Sequence, residues 1–233
     1  MKIIGHRGAK GLAPENTVAS FLKALAHNAD EIECDVRLTA ERVLVLSHNR
    51  FISDSSGNKL VVAEHNYLEL KAHKPDLTTL QEAILSVNKQ RPLLIEVKSS
   101  DVIQPLIKLL KQRLRGGWQA SDFRLASFHF KTLRALADAL PEIQLVVNDR
   151  WSGVRATSRG RRLGTRRLAM NRLWLWSGFI AALSRGGWEL YAYTVNDRRL
   201  AKRWAKSGLK GIVTDFPDKF DAKWDNNKHE GGF

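Results

Sequence analysis

The chain has 233 residues, 43% of them hydrophobic, so it can bury a sizeable core, and its length falls where α/β barrels occur as one domain. A balance of 38 Lys and Arg against 24 Asp and Glu gives a formal charge of +14, which favours anionic partners such as phosphate esters, nucleic acid or an anionic membrane surface without choosing among them. The single cysteine, Cys34, excludes an intramolecular disulfide, the longest apolar run (173–183) is too short for a membrane span, and the opening MKIIGHRG has neither the charged nor the apolar region of a signal peptide; a soluble, cytoplasmic protein is expected.

Short β-branched runs alternate with amphipathic stretches along the whole chain, the pattern of a parallel sheet with crossover helices. A first strand is expected at 2–5, followed by NTVASFLKALAHN, in which Val18, Phe21, Leu22 and Leu25 recur at helical spacing. After a second strand at 31–37 only LTAE intervenes before RVLVLSH (42–48), which must pair back as a hairpin or extend that strand. Residues 49–78 lack periodicity and carry Asp54, Ser55, Ser56, Gly57 and Asn58, so they read as a loop excursion.

The alternation then resumes. Helices are expected over TLQEAILSV, VIQPLIKLLKQRL, FKTLRALADALP, GFIAALSRGG and DRRLAKRWAKSG, the last two closing on glycine. Strands are expected at 93–98, 124–127, 144–148, 168–171, 189–195 and 211–214. Eight strands in all predict a closed (β/α)8 TIM barrel over residues 1–222, with a short insertion at about 49–78 after the second strand; 223–233 reads as a polar, glycine-rich tail.

In such a barrel the side chains at the carboxyl ends of the strands face the active site. His6 and Arg7 follow the first strand, Glu33 and Asp35 sit late in the second, His48 ends the added strand, and Glu96 and Lys98 sit late in the third. Strand alternation turns Glu33 and Asp35 one way and Ile32, Cys34 and Val36 toward the helices. Three carboxylates, Glu33, Asp35 and Glu96, would therefore meet, and together they would repel unless protons or a metal were present; an all-oxygen set suits Mg²⁺ or Ca²⁺. A carboxylate pair two residues apart is more often a solvated strand face or a salt-bridge partner, which is how Glu31, at the strand entry, is read. His6 and His48 form a candidate acid/base pair, and Arg7 and Lys98 would face a phosphoryl group, although Lys98 alone would equally serve as a counter-ion for Glu96. Metal, imidazoles and cations around one cavity describe phosphoester hydrolysis.

These residues resemble the glycerophosphodiester phosphodiesterase family. The similarity is carried by HRG (6–8), PENT (14–17), EIECDVRLT (31–39), His48, DLTTLQEAI (76–84), IEVK (95–98), YTVND (193–197) and GIVTDFP (211–217), in order from Met1 to about Lys219. The resemblance implies a (β/α)8 barrel that hydrolyses a glycerophosphodiester to sn-glycerol 3-phosphate and an alcohol. It implies His6 and His48 as the acid/base pair, Glu33, Asp35 and Glu96 as ligands of one divalent cation, and Arg7 and Lys98 as phosphate contacts. Glu15 matches a family position near the site, while Asn16 and Thr17 read as the start of the first helix. Tyr193 stands at the aromatic position of the late motif, where the family usually has Trp, and Asn49 follows His48 where the family often has Asp. Whether water or the substrate's own glycerol hydroxyl attacks is left open.

Residues 150–172 hold eight arginines and no acidic residue, close to Trp174, Trp176 and Phe179. As a loop between the fifth and sixth strands this segment is an ordinary solvated face; the sharper expectation is peripheral contact with an anionic membrane through residues 150–180. That expectation carries an alternative activity, hydrolysis of lysophospholipids at the membrane surface. A basic nucleic-acid-binding barrel is a further alternative, but the acidic cluster would repel a polyanion, so nucleic acid is not an expected partner.

Overall fold

The computed structural model describes residues 1–54 and 56–220. The polar tail expected at 223–233 lies outside the described residues. Among the described residues eleven strands occur in chain order: β1 (Lys2–Gly5), β2 (Glu31–Leu38), β3 (Leu44–Leu46), β4 (Phe51–Ser53), β5 (Lys59–Val61), β6 (Leu93–Val97), β7 (Phe123–Ser127), β8 (Gln144–Asp149), β9 (Arg167–Asn171), β10 (Glu189–Tyr193) and β11 (Gly211–Thr214). All but β3, β4 and β5 are parallel, and β1 pairs with both β11 and β2, so those eight close into a barrel. Each expected strand is present with its ends within two residues of the expected positions. RVLVLSH supplies β3, which returns antiparallel along β2.

The helices are α1 (Val18–Ala26), α2 (Tyr67–His73), α3 (Leu80–Val87), α4 (Ile103–Arg115), α5 (Phe130–Ala139), α6 (Gly153–Leu163), α7 (Ser177–Arg185) and α8 (Arg198–Lys206). Their apolar faces cover the outward side chains of the barrel, among them Ile32, Cys34, Val36, Ile95 and Val97, and bury them. Thr17 caps α1, accepting from the Ser20 backbone N–H while Ser20 Oγ answers the Thr17 N–H.

Two elements correct the expectations. Residues 150–172 are not one loop, because α6 runs through them, capped by Ser152 and stopped at Gly164 with φ of 71°. Only Ala156 and Gly160 of that helix are fully buried, and a Cβ on Gly160 would stand 2.7 Å from the Trp188 ring; a helix that buries small residues leaves no apolar stripe to read. The excursion after β3 is also structured. It contains the β4–β5 hairpin and α2, capped by Asn66, and both rest on a small core of Val45, Ile52, Val62, Leu70 and Leu77.

The barrel interior is layered. At the amino-terminal end Glu31 is 2% exposed and accepts from Lys2 at 2.6 Å, with Arg124 Nε 3.3 Å away. Above it lies an apolar layer of Ile4, Leu94, Ala126, Val146, Ala169, Tyr191 and Val213. The ionisable groups of the site stand above that, at the carboxyl-terminal mouth. Replacing Glu31 by Ala removes the partner of a nearly buried Arg124 and is expected to cost about 3 kcal/mol, read as a lower urea midpoint at unchanged slope.

Candidate active site

The pairing of β2 with β6 sets the acidic cluster. Asp35 is the register partner of Glu96, and Glu33 lies two residues earlier on the same inward face. One oxygen from each of Glu33, Asp35 and Glu96 lies within 4.8 Å of the others. All are withdrawn from water, and their environments push them apart. Burial raises the Glu33 carboxyl well above the ordinary range, and the charges of Asp35 and Glu96 push it the same way. Glu96 is raised by burial and again by Asp35. Asp35 meets the same burial, but Lys98 and Arg7 outweigh it and hold the group below its ordinary value.

The cations that achieve this come from the ends of β1 and β6. Lys98 Nζ bridges Asp35 at 3.0 Å and Glu96 at 2.6 Å. Burial disfavours its charge, yet the two carboxylates raise it overall. Arg7 donates its backbone N–H to Glu33 at 2.9 Å, its Nε lies 3.1 Å from Asp35, and its Nη1 donates to Glu15 at 2.8 Å. Glu15 therefore meets the site through Arg7 and does not itself line the cavity. The turn carrying His6 and Arg7 depends on Gly8, with φ of 82°, because a Cβ there would lie 2.3 Å from Ser20 Oγ on α1.

His6 and His48 line one cavity of about 340 Å³ together with Arg7, Glu33, Asp35 and Glu96, and Lys98 and Tyr193 line it too. His6 Nδ1 lies 2.6 Å from Asp215, leaving Nε2 as the nitrogen available to a ligand. His48 Nδ1 lies 3.2 Å from the Asn49 side-chain oxygen. Burial lowers the His48 imidazole, and the Lys98 charge lowers it further, so its neutral form is favoured. Tyr193 donates its hydroxyl to the Asp149 carbonyl at 3.1 Å and stands edge-on to Phe128.

Several residues here escaped the sequence reading. Asn16 does more than begin a helix. It is buried, donates Nδ2 to Asp35 and accepts the Asp35 backbone N–H, both at 3.1 Å. Asn148, at the end of β8, donates to Glu96 at 3.0 Å. Asn196 donates to Asp215 at 2.8 Å and so backs the carboxylate that holds His6. Asn148 and Asp215 sit at carboxyl ends of strands that were expected from the sequence, so the rim rule that found Glu96 would have found them.

The donor set fits a divalent cation. Three oxygen ligands converge, two of them, Glu33 and Glu96, held above their ordinary range by burial and by the charge of Asp35, and the two nearby cations leave one negative charge uncompensated when all three carboxylates ionise. Hard oxygen donors of this kind suit Mg²⁺ or Ca²⁺.

A closed (β/α)8 barrel that concentrates its ionisable groups at the carboxyl-terminal mouth has the architecture of a barrel enzyme. The chain belongs to the glycerophosphoryl diester phosphodiesterase family, whose sequence model matches residues 6–219, and is thus a phosphoric diester hydrolase. It is 30% identical over 250 residues to the YhdW protein of Bacillus subtilis (strain 168), with 99% of each chain covered. It is 29% identical over 240 residues to the glycerophosphodiester phosphodiesterase of Bacillus altitudinis, covering 94% of this chain and 96% of that one. A phosphodiesterase of Oleispira antarctica, solved in complex with the product sn-glycerol-3-phosphate, superimposes with a TM-score of 0.83 at 24% identity over 94% of each chain.

Proposed function

We propose that the protein hydrolyses glycerophosphodiesters to sn-glycerol 3-phosphate and an alcohol, using one divalent cation, Mg²⁺ or Ca²⁺, and the imidazoles of His6 and His48. The observation that carries this reading is the convergence of both histidines, the three carboxylates, Arg7 and Lys98 on one cavity. The names of the relatives and the product bound in the Oleispira antarctica structure agree with it.

Glu33, Asp35 and Glu96 would hold the cation, which when bound supplies Lewis-acid charge to a phosphoryl oxygen. Arg7 and Lys98 add positive charge on the same side and bind the diester as an anion. His48, kept neutral, takes the proton of the attacking hydroxyl. His6, fixed through Nδ1 by Asp215, presents Nε2 to the leaving alkoxide and gives it a proton. Tyr193 and Phe128 form an aromatic wall of the cavity against which the substrate is placed.

The reading is tested by measuring glycerol 3-phosphate release from glycerophosphocholine, glycerophosphoethanolamine and glycerophosphoglycerol with Mg²⁺, Ca²⁺ or EDTA. Release from at least one diester is expected; none from any of them under any ion refutes it.

Two further outcomes follow from the imidazoles. Because burial and Lys98 lower His48, its neutral form persists below the ordinary value of about 6.5, so kcat/KM should hold steady from neutral pH down past that point and fall only on a more acidic limb. Asp215→Asn should lower kcat roughly 10²-fold and displace the pH profile while KM changes little, since the carboxylate positions His6 and does not touch substrate.

A further inference from the structure

From 150 to 188 the chain has no acidic residue, and six of its nine arginines divide into two groups. Arg161 and Arg166 lie over the Trp188 ring at 5.9 and 4.9 Å, Arg162 lies over Phe130 at 4.3 Å, and Arg167 pairs with Glu189 at 2.8 Å. These four are taken up on the helix flank and at the amino-terminal end of the barrel. Arg150 and Arg172 stand exposed at the carboxyl ends of β8 and β9, on the rim that carries the cavity.

The same two loops expose large apolar side chains: Trp151 at 58%, Val154 at 82%, Leu173 at 73% and Trp176 at 63%. Trp151 and Trp174 meet edge to face with ring centroids 5.4 Å apart, which joins the loops into one ridge. Trp176 stacks on Phe179 at 5.1 Å, and Phe179 packs on Gly153, where a Cβ would stand 2.2 Å from its ring, so the ridge is held in place before anything binds it. Arg150 ties ridge to site: it lines the cavity and lies 5.9 Å from the Trp151 ring. Asp149, the acidic group beneath, is neutralised by Arg155 at 2.6 Å and Arg159 at 3.7 Å.

Exposed tryptophans with aliphatic neighbours, set among arginines with no acid in the segment, match a surface that is apolar within and anionic at its face. Indole rings settle at the headgroup level of a bilayer, Leu and Val enter the acyl boundary, and arginines meet the anionic lipid charge. A nucleic acid would engage the arginines and leave Val154 and Leu173 in water. We propose that the loops 150–154 and 172–176 dock the protein on an anionic phospholipid bilayer with the mouth of the barrel facing the membrane.

The test is cosedimentation of the full chain with phosphatidylcholine vesicles prepared with and without phosphatidylglycerol, with tryptophan emission recorded in parallel. Binding to the anionic vesicles with a blue shift, weakening as salt is raised, is expected. Leu173→Ser/Trp176→Ser, at positions that do not line the cavity, should bind about tenfold or more weakly while keeping the wild-type Tm and wild-type turnover of a water-soluble diester. Arg161→Gln/Arg166→Gln should bind as wild type. The proposal is overturned if the wild-type protein ignores phosphatidylglycerol vesicles at low salt, if L173S/W176S binds undiminished, or if R161Q/R166Q loses as much. The vesicle readout needs no turnover, so it stands or falls apart from the substrate reading.

Discussion

Replacing His48 by Ala is expected to lower kcat by about 10²–10⁴-fold, the ordinary cost of removing an acid/base group, while leaving the folded state almost untouched. The separation of the two effects comes from how the residue is held. Among the described residues its ring hydrogen-bonds the Asn49 side chain alone, and the Arg37 guanidinium that docks there binds the His48 backbone carbonyl, at 2.8 Å through Nη2, which the substitution keeps. His6→Ala should cost a similar factor in kcat, but it also strips Asp215 of its 2.6 Å partner. That carboxyl, half-buried, is pushed up by burial and held below its ordinary value by His6 and Asn196, so the stability it lends is present above about pH 4 and disappears as pH falls through its lowered value. Losing His6 therefore removes stability at neutral pH that losing His48 does not. Urea melts and single-turnover kinetics on both variants separate these effects, and turnover within a few-fold of wild type in both would refute the acid/base assignment.

What the sequence made legible and what it hid have a common physical origin. Short β-branched runs exposed the barrel strands, because burial on both faces leaves apolar residues wherever chemistry does not forbid them, and period-two alternation told the inward Glu33 and Asp35 from the helix-facing Ile32, Cys34 and Val36. The added β3 was legible for the same reason. Helix α6 was not, since Ala156 and Gly160 give no hydrophobic stripe, and α2 was missed because Leu70 is its only fully buried residue. Asn16 was hidden more deeply. Its φ of 58° and its two bonds to Asp35 are set by the fold across 19 positions of chain, and Asn before a helix has a sufficient local explanation as a cap. The arginines of 150–172 are neighbours in sequence, but a helix running from rim to flank parts residues that composition alone pools into one surface.

Chelation is expected to have the second large effect. Removal of divalent cations by EDTA should lower turnover by about 10³-fold or more, given the several kcal/mol of charge stabilisation a Lewis acid contributes at a phosphoryl group, and either Mg²⁺ or Ca²⁺ should restore it. The same ion should be visible without substrate. Glu33 is raised by burial and by its acidic neighbours, so in the absence of a cation its contribution to stability is greatest below the unfolded carboxyl value of about 4.3 and is lost as pH climbs through its raised value. A cation reverses that penalty, so the gain in Tm on adding it should grow with pH. At about a hundredfold excess over Kd the gain is about 2.7 kcal/mol, or roughly 5–10 °C for a chain of this size. Glu33→Gln separates the two contributions. Lacking the ionisable group, it should match or exceed the metal-free wild type in stability at alkaline pH, yet gain much less Tm from the ion and turn over poorly. Full wild-type activity in EDTA, together with a Tm indifferent to both ions, would mean that the carboxylates meet at the barrel mouth for electrostatic reasons internal to Arg7 and Lys98, and that the cluster holds no metal.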